Sequence, residues 1–312
     1  MSSVAVVSPP SRRLAAALVQ CAAAACAWGC WSLVLRPTGL PARVTAPIVM
    51  GLIAVALLPV AWREAPAGRL DPSTFALLAL WSVLDAGNVL AFFGAMQVTT
   101  LAVAVLTHYL APVLVALAAP AVDGERVRGA VPASAAAIGG LALVLRPWDE
   151  RAFGTDVLLG AALGSASACC YAACVFLTRR VSARLGAARS VSWHAFGCAA
   201  LLLPLSIGAG WDGVEPSDLV LLGSGSLVLG ALAGWVYVRG LAVVGATRAA
   251  VLAFFEPLVA VALGWAAWGE RLAPSAAVGA AIVVGAGAWV SVARSRGGAT
   301  GPPTSALGRA LS

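Results

Sequence analysis

The sequence contains no lysine: all 20 of its basic residues are arginine, set against 13 acidic residues. Without lysine there is no phosphate-binding P-loop, whose lysine must reach the nucleotide phosphates, so the chain alone is not an ATP-driven pump. Lysine Schiff-base chemistry is excluded for the same reason. Charge of either sign is scarce, at 11% of residues, while 61% are hydrophobic. Soluble domains carry about 25% charged residues, so lipid must solvate most of this surface. The net charge of +7 is scattered in ones and twos between apolar runs and forms no basic stripe, which excludes nucleic acid as a partner. HExxH, GxSxG and CxxC patterns are also missing, and no catalytic residue is assigned. The seven cysteines all lie in apolar runs. Cys26 and Cys30, like Cys170 and Cys174, would share a helix face, but no His or acid joins either pair. They read as small packing residues, and neither a metal nor a cofactor is expected.

What the chain does have is an internal echo. Leu101 to Arg126 reads LAVAVLTHYLAPVLVALAAPAVDGER, and Ala246 to Arg271, displaced by 145 residues, reads ATRAAVLAFFEPLVAVALGWAAWGER. Identity is low, yet Pro112 lands on Pro257 and both copies end in Gly-Glu-Arg. Each copy is an apolar helix with a proline half-way along. Hydrophobic segments interrupted at corresponding places point to a transporter built from internal repeats.

Ten apolar spans can be drawn, over residues 14–35, 44–62, 75–96, 101–122, 129–145, 156–177, 191–207, 219–238, 247–268 and 272–292. Each is near the ~20 residues a bilayer helix needs. Punctuation such as Arg146-Pro147 and Arg179-Arg180 separates them. Residues 1–13 and 297–312, rich in Ser, Pro and Gly, are expected to be disordered tails, leaving 14–147 and 152–296 as two five-span repeats. With both termini cytoplasmic, inside segments carry 15 of the 20 arginines and outside segments 5, the bias expected of a multi-pass membrane protein in that orientation. An odd number of spans per repeat inserts the second copy upside down. The loops agree: residues 63–69 carry two arginines, whereas the equivalent loop of the second copy carries only Asp212, Glu215 and Asp218. The all-Arg, Ala-rich composition suggests a GC-rich bacterial genome and hence a bacterial plasma membrane.

The pattern resembles the EamA branch of the drug/metabolite transporter superfamily. The resemblance covers about residues 14–296 and rests on Trp28-Gly29, on Tyr237 to Leu241 leading through Gly245-Ala246 to Phe254-Phe255-Glu256-Pro257, and on the two Gly-Glu-Arg endings. The second half matches better, because Ala111 stands in the first where Glu256 stands in the second. The resemblance implies ten helices around a central cavity and export of small metabolites, amino acids or drugs.

Of the 13 acidic residues, only Asp85 and Glu256 fall near the middle of a span. Intramembrane carboxylates are costly and usually face a cavity or partner, where they bind a cation or exchange a proton. The alternative is a protonated acid bonded to a neighbouring helix, or for Glu256 a cap on backbone groups freed by Pro257. Trp81, Asp85 and Asn88, spaced i, i+4, i+7, share one helix face and would suit a zwitterion or aromatic amine; the bland reading is an interfacial tryptophan beside a packing polar pair. His108, beside Tyr109, could bond substrate or carry protons, its unperturbed pKa being ~6.5. His194, next to Trp193, reads as an interfacial anchor. Trp28 completes the candidate substrate-binding or proton-coupling residues, and Pro112 and Pro257 are candidate hinges. The Gly-Glu-Arg endings are read as helix stops with their charges at the lipid interface. Gly160-xxx-Gly164 and Gly230-xxx-Gly234 allow close helix approach, by default internal packing; oligomeric state is left open.

The expected fold is therefore an all-α polytopic membrane protein of two inverted five-helix repeats. The expected function is alternating-access export of a small organic metabolite, an amino acid or related amphiphile, with protons as a candidate coupling ion and lipid as the surroundings. An uncoupled facilitator or a multidrug exporter of the same fold is the alternative. An intramembrane enzyme would call for aspartate-rich diphosphate motifs, and a sensory or scaffold subunit for an appended soluble domain.

Overall fold

The computed structural model describes residues 12–64, 71–148, 156–209 and 211–296. Among them the chain is helical almost throughout: α1 (Arg12–Gly29), α2 (Ser32–Thr38), α3 (Ala42–Arg63), α4 (Pro72–Val98), α5 (Leu101–His108), α6 (Ala111–Val122), α7 (Ala130–Leu145), α8 (Val157–Leu185), α9 (Ala187–Leu202), α10 (Pro216–Gly225), α11 (Ala233–Val244), α12 (Ala246–Leu252), α13 (Phe255–Trp268) and α14 (Pro274–Val292). A π-helical stretch, Ser226–Leu232, joins α10 to α11. Each expected span carries helix. Eight segments are long and apolar enough to cross a membrane, counting α1–α2, α5–α6, α10–α11 and α12–α13 as single spans. α7 and α9 are shorter, at 16 residues each. The protein is an all-α polytopic membrane protein. The expected tails lie outside the described residues, except that Arg12 and Arg13 already belong to α1.

Local chemistry sets several boundaries. α4 starts at Asp71, whose carboxylate accepts from the Thr74 N–H at 2.8 Å, with Pro72 in the first turn. Hydrogen bonds from Thr74 and then Ser73 hold that carboxyl down at about 2. α6 and α13 end just before Gly124 and at Gly269, with φ of +67° and +70°, the left-handed geometry that lets the next amide turn back: the Glu125 N–H bonds Ala119 O and the Glu270 N–H bonds Gly264 O. Arg179 and Arg180 do not end their helix. α8 runs on to Leu185, because arginine is a good helix former and both side chains reach Asp123, at 2.7 and 3.3 Å.

Four antiparallel helix pairs make the frame: α4 on α8, α3 on α9, α7 on α14, and α1 on α11. The set is unchanged when the first five spans are exchanged with the second five. The α4–α8 and α1–α11 pairs swap places, while the other two map onto themselves. Small residues allow the close approaches. A Cβ at Gly160 or Gly164 would strike Thr99 or Thr107, and one at Gly230 would strike Ile53, so these glycines serve internal packing. Residues 126–127 and 295–296 form a short antiparallel pairing that ties the connection before α7 to the chain after α14.

Candidate functional site

The i, i+4, i+7 set on α4 faces inward, toward α8 and α9. Trp81 is buried and stacks flat on the imidazole of His194, with ring centroids 3.9 Å apart. It is therefore no interfacial tryptophan, and His194 is no interfacial anchor: its Nε2 lies 3.1 Å from Asp85 Oδ2 in the interior. Asn88 Nδ2 donates to the other carboxylate oxygen at 3.2 Å. The chain of contacts continues across α8. Ser167 Oγ, fully buried, donates to Asn88 Oδ1 at 2.6 Å and lies 2.7 Å from His108 Nδ1. Asp85, Asn88, Ser167 and His108 thus form one continuous polar string through an apolar bundle.

The matched prolines break their spans at matched places. α5 gives way to α6 at Tyr109-Leu110, and α12 to α13 at Ala253-Phe254, because the proline nitrogen has no hydrogen to complete the turn. Tyr109 and Phe254, equivalent under the 145-residue offset, meet each other with ring centroids 5.6 Å apart. Glu256 sits in the first turn of α13, against the backbone of Gly29: a Cβ there would collide with Glu256 O and Val259. The chain's three tyrosines, Tyr109, Tyr171 and Tyr237, all lie within electrostatic range of the Glu256 carboxyl, and the Tyr109 hydroxyl approaches it most closely. Trp28 packs on Tyr237 at 4.8 Å. The Tyr237 hydroxyl, buried and next to that of Tyr171, forms no well-aligned hydrogen bond. His108 links the two groups, its ring lying 5.2 Å from Tyr109 and 5.5 Å from Tyr171.

All seven candidate site residues of the sequence thus fall into two adjoining clusters, one around Asp85 and one around Glu256. Ser167, Tyr171 and Cys198 join them with no role expected from the sequence, as do His194, read there as an interfacial anchor, and Tyr237, named there only for the family resemblance. For Tyr171 and Tyr237 a signal existed, since each puts a hydroxyl inside an apolar span, where it needs a partner. A surface cavity of about 370 Å³ bordered by Arg13, Gln20, Ser182 and Arg239 includes neither Asp85 nor Glu256.

The two Gly-Glu-Arg endings differ. Glu270 is half exposed and pairs with Arg36 at 2.7 Å. Glu125 is buried, which corrects the expectation of a charge at the lipid interface. It accepts the Ala246 N–H at 2.9 Å and lies 3.7 Å from Arg179. A carboxylate at the N-terminus of α12 satisfies amides that a helix start leaves free. Because Glu125 meets the start of the span Ala246–Trp268 and Arg36 meets its end, the two ion clusters lie at opposite ends of the bundle.

The model of the EamA-like transporter family matches residues 158–292, the half that carries Glu256. An uncharacterized transporter of Archaeoglobus fulgidus is 30% identical over 232 residues, covering 74% of this chain and 79% of that protein. This chain belongs to the EamA-like transporter family. A crystal structure of a protein 20% identical in sequence superposes with a TM-score of 0.77, covering 88% of this chain and 98% of that one, so the two share a fold over most of their length.

Proposed function

We propose that this EamA-like protein is an alternating-access exporter of small organic amphiphiles bearing an ammonium group, amino acids or related amines, and not an enzyme. The observation that supports it is the pair of carboxyl groups inside apolar spans: Asp85 beside His194, on which Trp81 stacks, and Glu256 beside Tyr109, with Asn88, Ser167 and His108 running from the first toward the second. Carboxylates bind the ammonium and aromatic faces add cation–π attraction and apolar contact. The buried Tyr237 hydroxyl offers a hydrogen bond that a ligand can complete. Ten spans in two inverted five-helix halves, residues 14–147 and 152–296, would rock about the broken helices, with Pro112 and Pro257 as hinges. The protein sits in a bacterial plasma membrane with both termini cytoplasmic, and Glu256 carries the coupling proton.

Counterflow in proteoliposomes loaded with a mixed metabolite pool, read by mass spectrometry, tests the transport reading: one compound class exchanges, and no exchange from folded protein rejects it. Glu256→Gln abolishes gradient-driven accumulation and leaves passive exchange intact. Accumulation unchanged in that variant removes Glu256 from the coupling role, and no response of the wild type to a pH gradient makes the protein an uncoupled facilitator.

A further inference from the structure

Cys198 is the inward-facing group that the transport reading does not use. It lies one turn after His194 on α9, so both side chains share a face, and that face meets Asp85 on α4. Sγ of Cys198 is 3.6 Å from His194 Nε2 and 3.8 Å from Asp85 Oδ2, and the third edge, His194 Nε2 to Asp85 Oδ2, is 3.1 Å. Both α9 residues are buried and Asp85 is mostly so. We propose that these three atoms form a binding site for a divalent metal ion of the Zn²⁺ class, joining α4 to α9.

Geometry is the first argument. Tetrahedral Zn²⁺, with bonds of about 2.0–2.2 Å to nitrogen and oxygen and about 2.3 Å to sulfur, requires ligand separations of about 3.4 Å for the N–O edge and about 3.6 Å for each edge to sulfur. The observed triangle is within about 0.3 Å of that face on every edge, inside the drift that ligand side chains take up on binding, and the fourth position is left for water or a ligand.

Charge is the second. On binding, the Cys198 S–H bond breaks, its proton passes to solvent, and the sulfur–metal bond forms. One thiolate and one carboxylate then balance a divalent ion, with His194 neutral, so the loaded site carries no net charge. In a membrane interior that balance matters more than anywhere else, because an uncompensated ion there is costly.

The donor set is the third. Mixed nitrogen, sulfur and oxygen ligation suits zinc and its first-row neighbours, whereas magnesium and calcium require oxygen alone. The surroundings are built to hold the ligands. Trp81 clamps the imidazole face, Asn88 fixes the second oxygen of Asp85, and Ser82 Oγ bonds the His194 carbonyl at 3.3 Å. Gly197, where a Cβ would strike Ser82, lets α9 come close enough to α4 for the triangle to close. Outer-shell partners of this kind orient ligands and tune affinity.

The site shares Asp85 with the proposed transport site, but its test reads metal binding alone and does not depend on what the protein transports. Purified full-length protein is titrated with Co²⁺ under reducing conditions and followed by absorbance. The expected result is a thiolate-to-cobalt charge-transfer band that saturates at one ion per chain and is bleached by Zn²⁺. The band persists when the six other cysteines are replaced by serine, disappears in Cys198→Ser, and needs at least about tenfold more Co²⁺ in Asp85→Asn and His194→Gln, since even outer-shell losses cost that much. No thiolate band in the wild type, or an undiminished band in Cys198→Ser, overturns the proposal and leaves a hydrogen-bonded Asp85–His194–Cys198 cluster. Absence of the band in the wild type overturns the proposal even where a variant fails to fold, and the six-serine variant assigns a band that is present to Cys198.

Discussion

Glu125 and Glu270 occupy equivalent places in the two Gly-Glu-Arg endings, yet one is buried at a helix start and the other half exposed in a surface pair. Nothing in either motif distinguishes them, because the difference is made by α12 and α8, which fold against Glu125 from far along the chain. The same limit applies to His194, whose partner Asp85 sits on another helix. By contrast, the Trp81–Asp85–Asn88 face was legible, because a helix of known pitch fixes which residues point together. Glu125→Ala should cost about 1–3 kcal/mol, the penalty for stranding the buried Ala246 amide, whereas Glu125→Gln, which keeps an acceptor oxygen, should cost less; thermal melting in detergent distinguishes the two. Burial pushes the Glu125 carboxyl up, more than Arg179 and the Ala246 amide pull it down. The folded state therefore holds that proton more tightly than the unfolded chain. Its contribution to stability is complete below the ordinary carboxylate range and is lost as pH rises through the raised value. Melting curves across weakly acidic pH should be flatter for Glu125→Gln than for the wild type.

At the scale of elements, each expected span carries helix among the described residues, eight segments being long and apolar enough to cross a membrane, because hydrophobic runs and proline positions are local signals. The sequence placed the end of α8 too early, since Arg179-Arg180 looks like a loop until Asp123 supplies a partner. The proline breaks were legible too; the rings that meet at them, Tyr109 and Phe254, were not, because that contact crosses the interface between halves. Gly164→Val should destabilise by about 1–3 kcal/mol or more through overpacking against Thr107 and Ala104, measured as a lowered melting temperature with unchanged size on gel filtration. A dimer interface at Gly164 would instead change the size. Pro257→Ala restores a backbone donor to the turn, so hydrogen exchange around residues 253–257 should slow; equal exchange in both proteins would mark the bend as fixed by packing alone.

For the whole molecule, the helix pairing is symmetric under exchange of the halves while the side chains at the two ends are not. The Asp123 side chain is only 6% exposed and bridges Arg179 and Arg180, whereas the Arg36–Glu270 pair is about half exposed on both sides. Glu270→Ala should change stability by no more than about 1 kcal/mol. Asp123→Ala should cost about 2 kcal/mol or more, between the exposed and the fully buried cases, and paired melting curves check the order.

Dissolved ions give this asymmetry a practical meaning. With a Debye length of ~8 Å at physiological ionic strength, falling to ~3 Å at 1 M, added salt reaches an exposed pair and largely spares a buried one. Salt should therefore slacken the Arg36–Glu270 end while the Arg179 end stays tied, making ionic strength a one-sided control on a molecule whose backbone is two-sided. Hydrogen exchange at low and high salt should show protection falling around Arg36 and Glu270 alone.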